Sequence, residues 1–118
     1  MQFMIVIGTD EKAAAKRTVE QGKEEMAAWM KYSADLKNAG VMLTGEALEP
    51  SSKGARIASR EGRTVVTDGP FTEAKEVVGG FYVIDVKSRE EAIEWATKCP
   101  AVKYGTGVDL RQVMIFPK

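Results

Sequence analysis

The spacing of apolar and polar residues changes along the chain, and these changes predict where strands and helices alternate. Residues 3–7 form a continuous apolar run, which is typical of a strand buried on both faces. From Val19 to Ala39 the apolar residues recur at helical spacing, between a Thr18–Gln21 capping box and Gly40. The predicted core-facing stripe of this helix consists of Val19, Met26, Met30, Ser33 and Leu36.

The second half of the chain repeats this alternation after a hairpin signal. The predicted elements are a strand at 41–48, a hairpin of 55–60 and 63–67 turning at Glu61-Gly62, a strand at 81–86, a helix from Ser88 to Pro100 and a final strand from Val108 to Phe116. The order is β-α-β, a β-hairpin, then β-α-β. It predicts one domain over residues 1–118, with a ferredoxin-like α+β fold and an antiparallel sheet.

Such a sheet carries its helices on one face and leaves the other face without cover. The strands nevertheless place apolar residues on both faces, including Met4, Phe81, Val83, Met114 and Phe116. Because a soluble monomer rarely exposes a contiguous apolar patch of that size, we predict a homodimer that pairs through this face.

Composition then excludes several classes of function. Lysine and arginine together number 17, as do aspartate and glutamate, so the chain lacks the basic excess that nucleic-acid binding requires. No apolar run approaches the ~20 residues of a membrane span. The single Cys99 cannot form an internal disulfide, which predicts a reducing, cytoplasmic location. The chain contains no histidine, which excludes His-based catalytic triads and His-ligated metals, and we predict neither a metal nor a cofactor.

The densest cluster of turn residues and charges follows the hairpin and is the first candidate site. Asp68, at a strand end, is either a general base with a pKa raised by burial or the cap of the Asp68-Gly69-Pro70 turn. Lys75 lies between Glu73 and Glu76, where it either binds an anionic or carbonyl-bearing molecule or belongs to a solvated loop.

Other candidates come from elements that the fold brings near this turn. Arg111 would clamp a carboxylate if it faces the barrel interior, and would be ordinary surface if it faces outward. Glu46 is predicted to face Asp68 as a carboxylate pair. Tyr82 and Trp29 (with Tyr32) either line a pocket and stack on a flat ligand or belong to the core.

The same residues carry a family resemblance. Asp68-Gly69-Pro70-Phe71, the charged residues 73–76 and the strand Gly79-Gly80-Phe81-Tyr82 resemble the Asp-Gly-Pro-Phe branch of the YCII-related family. The resemblance implies a ferredoxin-like subunit in a dimeric α/β-barrel-like assembly. It also implies a small cofactor-independent enzyme or a ligand binder, with extracytoplasmic-function sigma factors encoded beside some members.

One feature of the family is missing from this chain. Founding members carry a proposed His–Asp pair, and its positions are occupied here by Trp29 and Cys99. That chemistry is therefore not transferred, and Cys99, near a helix C-terminus, is interpreted as buried packing.

Three functions follow as hypotheses. The first is binding of a small anionic or carbonyl-bearing molecule in a cleft of the dimeric barrel. The second is a non-catalytic regulatory or interaction role with an extracytoplasmic-function sigma factor. The third is cofactor-free isomerisation with Asp68 as base and Arg111 orienting the substrate.

Overall fold

The computed structural model describes residues 1–70 and 76–117, and it shows an α+β fold. Its elements are β1 Gln2–Thr9, α1 Glu11–Ala15, α2 Val19–Asn38, β2 Met42–Ala47, β3 Ala55–Arg60, β4 Arg63–Asp68, β5 Val77–Asp85, α3 Arg89–Thr97, α4 Ala101–Tyr104 and β6 Gly107–Gln112, with a 3₁₀ turn at Ser51–Lys53. Among the helices so described, none has the length and apolar character to cross a membrane.

Four strands form one antiparallel sheet in the order β2-β5-β1-β6. One helical connection joins β1 to β2, which lie on either side of β5. Another joins β5 to β6, which lie on either side of β1. This is the split βαβ topology of the ferredoxin-like fold. The predicted α+β class and antiparallel sheet are therefore confirmed. The dimeric barrel remains a prediction.

Alternation along β1 separates the two faces of this sheet. Phe3, Ile5 and Ile7 are buried on the face that packs against the helices. Met4 and Val6 point the other way and are only half-buried. Their cross-strand neighbours on β5 are Val83 and Phe81, and these four apolar residues define what we call the open face.

The two long helices begin as the sequence predicts. Thr18 accepts from the Gln21 backbone at 3.1 Å while the Gln21 side chain accepts from the Thr18 backbone, which completes the capping box. Ser88 likewise accepts from the Glu91 backbone at 3.1 Å, but the Glu91 carboxylate accepts from the Lys87 N–H instead of the Ser88 N–H.

The orientation of α2 differs from the prediction. Its buried residues are Tyr32 and Leu36, whereas Val19, Met26 and Met30 are exposed. The predicted stripe was correct only at its C-terminal end. The physical reason is that the strands opposite Met26 and Met30 carry few side chains with which these two residues could pack.

The β3–β4 hairpin forms a separate two-stranded sheet. Glu61 and Gly62 have φ angles of 50° and 77°, as a two-residue type I′ turn requires, so the predicted hairpin is confirmed. The radius of gyration is 16.2 Å, compared with about 13.5 Å for a compact domain of this length. The molecule is thus flat and extended.

The last strand is shorter than predicted. It ends at Gln112, and the Val113 N–H makes one further bond to the Gln2 carbonyl at 2.8 Å. Met114 and Phe116, predicted on the sheet face, lie beyond the strand and are exposed.

Candidate ligand-binding groove

An open groove of about 650 Å³ lies between α2 and the part of the four-stranded sheet formed by β2 and β5. We call it the α2–β2 groove. The residues lining it, in chain order, are Ile7, Thr9, Glu25, Met26, Trp29, Met30, Ser33, Ala34, Lys37, Met42, Gly45, Glu46, Ala47, Gly79, Gly80 and Tyr82.

The groove exists because the sheet carries few side chains at this end. Gly80 of β5 pairs with Ala47 on one side and Ile7 on the other. A Cβ on Gly80 would lie 2.7 Å from the Glu46 carbonyl oxygen, so the backbones leave no space for a side chain there. Gly45 allows a similar approach, because a Cβ at that position would lie 2.6 Å from Cδ1 of the Tyr82 ring. The floor of the groove is therefore largely backbone.

The opposite wall is the exposed stripe of α2. Met26 and Met30 are 60% and 68% exposed, and Trp29 lies half-buried between them. Methionine side chains are flexible and polarisable, which suits a wall that must adapt to a partner. Met26 and Met30 were predicted to lie on the core-facing stripe of the helix, but they border the groove instead.

A pair of hydroxyl groups provides the polar centre of the groove. Tyr82 Oη and Ser33 Oγ lie 2.7 Å apart. The Tyr82 ring stacks on Trp29 with centroids 6.4 Å apart and an 18° interplanar angle, and Tyr32 meets it edge-on at 5.4 Å. Burial raises the pKa of Tyr82 above its usual value, which the Ser33 hydrogen bond partly opposes. The phenol therefore remains a neutral hydrogen-bond donor at physiological pH.

A charged cluster holds the N-terminal end of the wall. Glu25 accepts from Trp29 Nε1 at 3.0 Å and pairs with Arg17 Nη1 at 2.8 Å. Arg17 also donates to the Tyr104 carbonyl oxygen, which ties this cluster to α4. The Trp29 ring is thus held by the hydrogen bond from its Nε1 to Glu25 and by stacking on Tyr82.

The structure brings some of the predicted site residues together. Trp29 and Tyr82 stack in the groove, and Glu46 belongs to its β2 rim. Cross-strand pairing with Phe81 places the Glu46 side chain on the open face.

The other predicted residues lie elsewhere. Asp68 is exposed and pairs with Ala55 in the hairpin sheet, so the predicted Glu46–Asp68 pair is wrong. Arg111 pairs with Met4, which places it on the open face and away from the groove. Lys75 lies outside the described residues.

A second cleft, of about 580 Å³, lies between α2 and the α3–α4 region. Trp95 and Cys99 border it. Burial raises the pKa of the Cys99 thiol, and the side chain is 2% exposed, which agrees with a packing role.

Sequence reasoning missed Glu25, Met26, Met30 and Ser33 as groove residues. A signal for them was present, because glycine recurs at positions 45, 79 and 80 on two neighbouring strands. Within residues 1–70 and 76–117, no cluster of three His, Cys, Asp or Glu side chains is placed to hold a metal ion.

Comparison with known proteins adds three observations. The family model of the YCII-related domain matches residues 1–116. An uncharacterised protein of Rhizobium meliloti (strain 1021) is 29% identical over 107 residues, which cover 91% of this chain and 86% of that protein. The fold is similar to that of 5-chloro-2-hydroxyhydroquinone dehydrochlorinase (TftG) from Burkholderia phenoliruptrix AC1100, solved with 2,5-dihydroxybenzoquinone. That likeness has a TM-score of 0.54 and 15% identity, and it covers 97% of this chain and 94% of the other. With its domain matched over nearly the whole chain, the protein belongs to the YCII-related family.

Proposed function

We propose that this protein binds a small, flat molecule with a carbonyl group in the α2–β2 groove. The observation that carries the proposal is the Ser33–Tyr82 hydroxyl pair, 2.7 Å apart, in an otherwise mostly apolar groove. Binding pockets are commonly apolar with a few fixed polar groups that orient the ligand.

The geometry assigns each group a role. The methionines and Trp29 contact the faces of a planar ligand. The Tyr82 hydroxyl donates to the ligand carbonyl, so Ser33 donates to Tyr82 Oη and can accept from a donor group on the ligand. The ionisable side chains that face the groove are Glu25 and Lys37, since that of Glu46 lies on the open face. Because their charges are opposite, the lining has no net charge, and a neutral carbonyl compound suits it.

Binding is better supported than proton abstraction by Asp68. That carboxylate is exposed on the hairpin and is absent from the described lining of the groove. The one carboxylate fixed in the wall, Glu25, is already paired with Arg17 and Trp29. The fold neighbour's 2,5-dihydroxybenzoquinone is a flat, carbonyl-bearing ring, which makes it a natural probe.

The two tryptophans make the test specific. Trp29 lines the groove and Trp95 lines the second cleft, so their indole N–H signals in a ¹H–¹⁵N spectrum report on separate places. We expect 4-hydroxyacetophenone, a neutral aromatic ketone, to shift the Trp29 signal and leave the Trp95 signal in place. 4-Ethylphenol, which lacks the carbonyl, should bind at least fivefold more weakly.

Variants then test the hydroxyl pair. Tyr82→Phe should remove the preference for the ketone, whereas Tyr104→Phe, on the other side of α2, should preserve it. Equal shifts at both tryptophans, or a ketone preference that survives Tyr82→Phe, would disprove the proposal. Titration with 2,5-dihydroxybenzoquinone, which is anionic at neutral pH, measures how much negative charge weakens binding.

The open face supports the predicted homodimer as part of this proposal. Met4, Val6, Phe81 and Val83 are only half-buried, on the sheet face where the described part of the chain places no helix. Sedimentation equilibrium should give twice the 12.9 kDa chain mass.

A further inference from the structure

The second cleft, between α2 and the α3–α4 region, differs from the α2–β2 groove in its charge. Its charged side chains are three lysines and one aspartate, namely Lys31, Lys98, Lys103 and Asp35. Three positive charges and one negative charge leave the lining with a net charge of +2, although the whole chain is neutral. A cleft lined mainly by one sign of charge concentrates ligands of the opposite sign near its walls.

A contact between α2 and α3 fixes the floor of this cleft. Tyr32 is buried, and its hydroxyl donates to the Trp95 carbonyl oxygen at 2.7 Å. The small side chains of Ala28 and Cys99 also line the cleft, whose volume is about 580 Å³. Sites for small molecules commonly have volumes of about 300–1,000 Å³, so the second cleft is large enough to be one.

Lys98 carries the ammonium group that is most available to a ligand. Its Nζ lies 5.1 Å from the centroid of the Trp95 ring, a cation–π distance that holds the ammonium beside the cleft. Within residues 1–70 and 76–117, no carboxylate lies within ion-pairing distance of Lys98. Because the ring already orders this side chain, a bound anion would pay little further entropy to order it.

The other two lysines form ion pairs that are open to solvent. Lys103 Nζ lies 3.5 Å from Glu24 and 5.1 Å from the centroid of the Tyr104 ring. Lys31 pairs with Asp35 at 2.8 Å, one helical turn further along α2. Exposed pairs of this kind contribute little to stability, so Lys103 can turn from Glu24 towards a bound anion at small cost.

We infer that the second cleft binds a small organic anion with a carboxylate group on an apolar body. The carboxylate pairs with Lys98 and Lys103, the two ammonium groups that the aromatic rings hold at the cleft. The apolar body contacts Val102, which is 54% exposed, and the ring of Tyr104. This inference concerns a separate site and stands whether or not the α2–β2 groove binds a carbonyl compound.

Two probes of equal shape test the requirement for negative charge. 4-Ethylbenzoate is anionic at neutral pH, and 4-ethylbenzamide is its neutral counterpart. In ¹H–¹⁵N spectra we expect the benzoate to shift the Trp95 indole signal, with a dissociation constant at least tenfold lower than that of the amide at this signal. Raising the salt concentration from about 0.05 M to about 0.5 M should weaken benzoate binding at least threefold, because salt screens charges at an exposed site.

The same pair of probes distinguishes the two sites. The amide is a neutral aromatic carbonyl compound, so a shift of the Trp29 signal by the amide reports on the α2–β2 groove alone. A shift of the Trp95 signal by the benzoate reports on the second cleft alone. Failure of one proposal is therefore visible without failure of the other.

Three variants test the roles of the charged residues. Lys98→Met keeps most of the side-chain length and should raise the dissociation constant of 4-ethylbenzoate at least fivefold. Lys12→Met, at an exposed position on α1, removes the same charge away from the cleft and should change it less than twofold. Asp35→Asn removes the negative charge from the lining and should lower it at least twofold. Equal affinity for the benzoate and the amide at Trp95, or equal effects of Lys98→Met and Lys12→Met, would overturn the inference.

Discussion

Ser33 Oγ and Tyr82 Oη lie 2.7 Å apart across the interface between α2 and the sheet. Tyr82 is also the cross-strand partner of Gly45, whose missing side chain makes room for the phenol ring. One residue thus connects the helix, the central strand β5 and the edge strand β2.

This hydrogen bond should contribute measurably to stability. We expect Ser33→Ala and Tyr82→Phe each to lower the free energy of unfolding by about 1 kcal/mol, since each leaves a part-buried hydroxyl without its partner. The double variant should cost less than the sum, because both changes remove the same bond. Urea denaturation measures all three. Tyr104→Phe, whose hydroxyl meets Glu24 at an exposed site, is the control and should change stability by less than about 0.5 kcal/mol.

Stability should decline at alkaline pH. Burial raises the pKa of both Tyr32 and Tyr82 above the value of about 10 expected in the unfolded chain. Above that pH the unfolded chain releases protons that the folded chain retains, so the free energy of unfolding falls as pH rises. The loss is at most about 1.4 kcal/mol per pH unit for each tyrosine.

Urea denaturation at pH 8 and at pH 11 checks this sign, with tyrosinate absorbance at 295 nm as a second readout. The two buried tyrosines should ionise only as the protein unfolds. Equal stability at the two pH values would show that neither residue resists ionisation.

Two glycines should respond oppositely to alanine. Gly22 lies in α2 and has open space where a Cβ would lie, so Gly22→Ala should stabilise the protein by about 1 kcal/mol. Gly80→Ala should destabilise it, because the new Cβ would meet the Glu46 carbonyl oxygen at 2.7 Å. Thermal unfolding distinguishes them. A stable Gly80→Ala variant would mean that β2 can move away from β5, and that the groove floor is not fixed.

The capping box of α2 gives a further test. Thr18→Ala removes the bond from the Gln21 N–H and should cost about 1 kcal/mol. Thr97→Ala, at the exposed end of α3, provides a matched control with an expected change below about 0.5 kcal/mol. Similar losses at both positions would show that the cost comes from threonine itself and not from the cap.

The sequence predicted the parts of this structure that depend on local signals. Capping at Thr18, the positive φ of Gly40 (71°) and the Glu61-Gly62 turn each follow from the chemistry of a few adjacent residues. The antiparallel sheet also followed, because the sequence of elements leaves few connections possible.

The groove could not be predicted in the same way. An apolar stripe shows which face of a helix is hydrophobic, but not whether the opposing sheet carries side chains to meet it. Met26 and Met30 were therefore placed in the core, although the floor opposite them is largely glycine and backbone. Asp68 was misplaced relative to Glu46 for a related reason, since the local turn signal predicts the β3–β4 hairpin but not where it lies relative to β2.

The floor of the α2–β2 groove is mostly backbone, whereas its α2 wall is made of side chains. This difference predicts where related proteins would change their ligand preference. At Gly80 and Gly45 a larger residue would place its Cβ too close to neighbouring atoms, so substitutions cannot reshape the groove floor at these positions. The wall can be reshaped, because Met26 and Met30 are exposed and pack on little. New ligand preferences should therefore arise through changes on one helix, at positions 26, 30 and 34, while the strands beneath keep their shape.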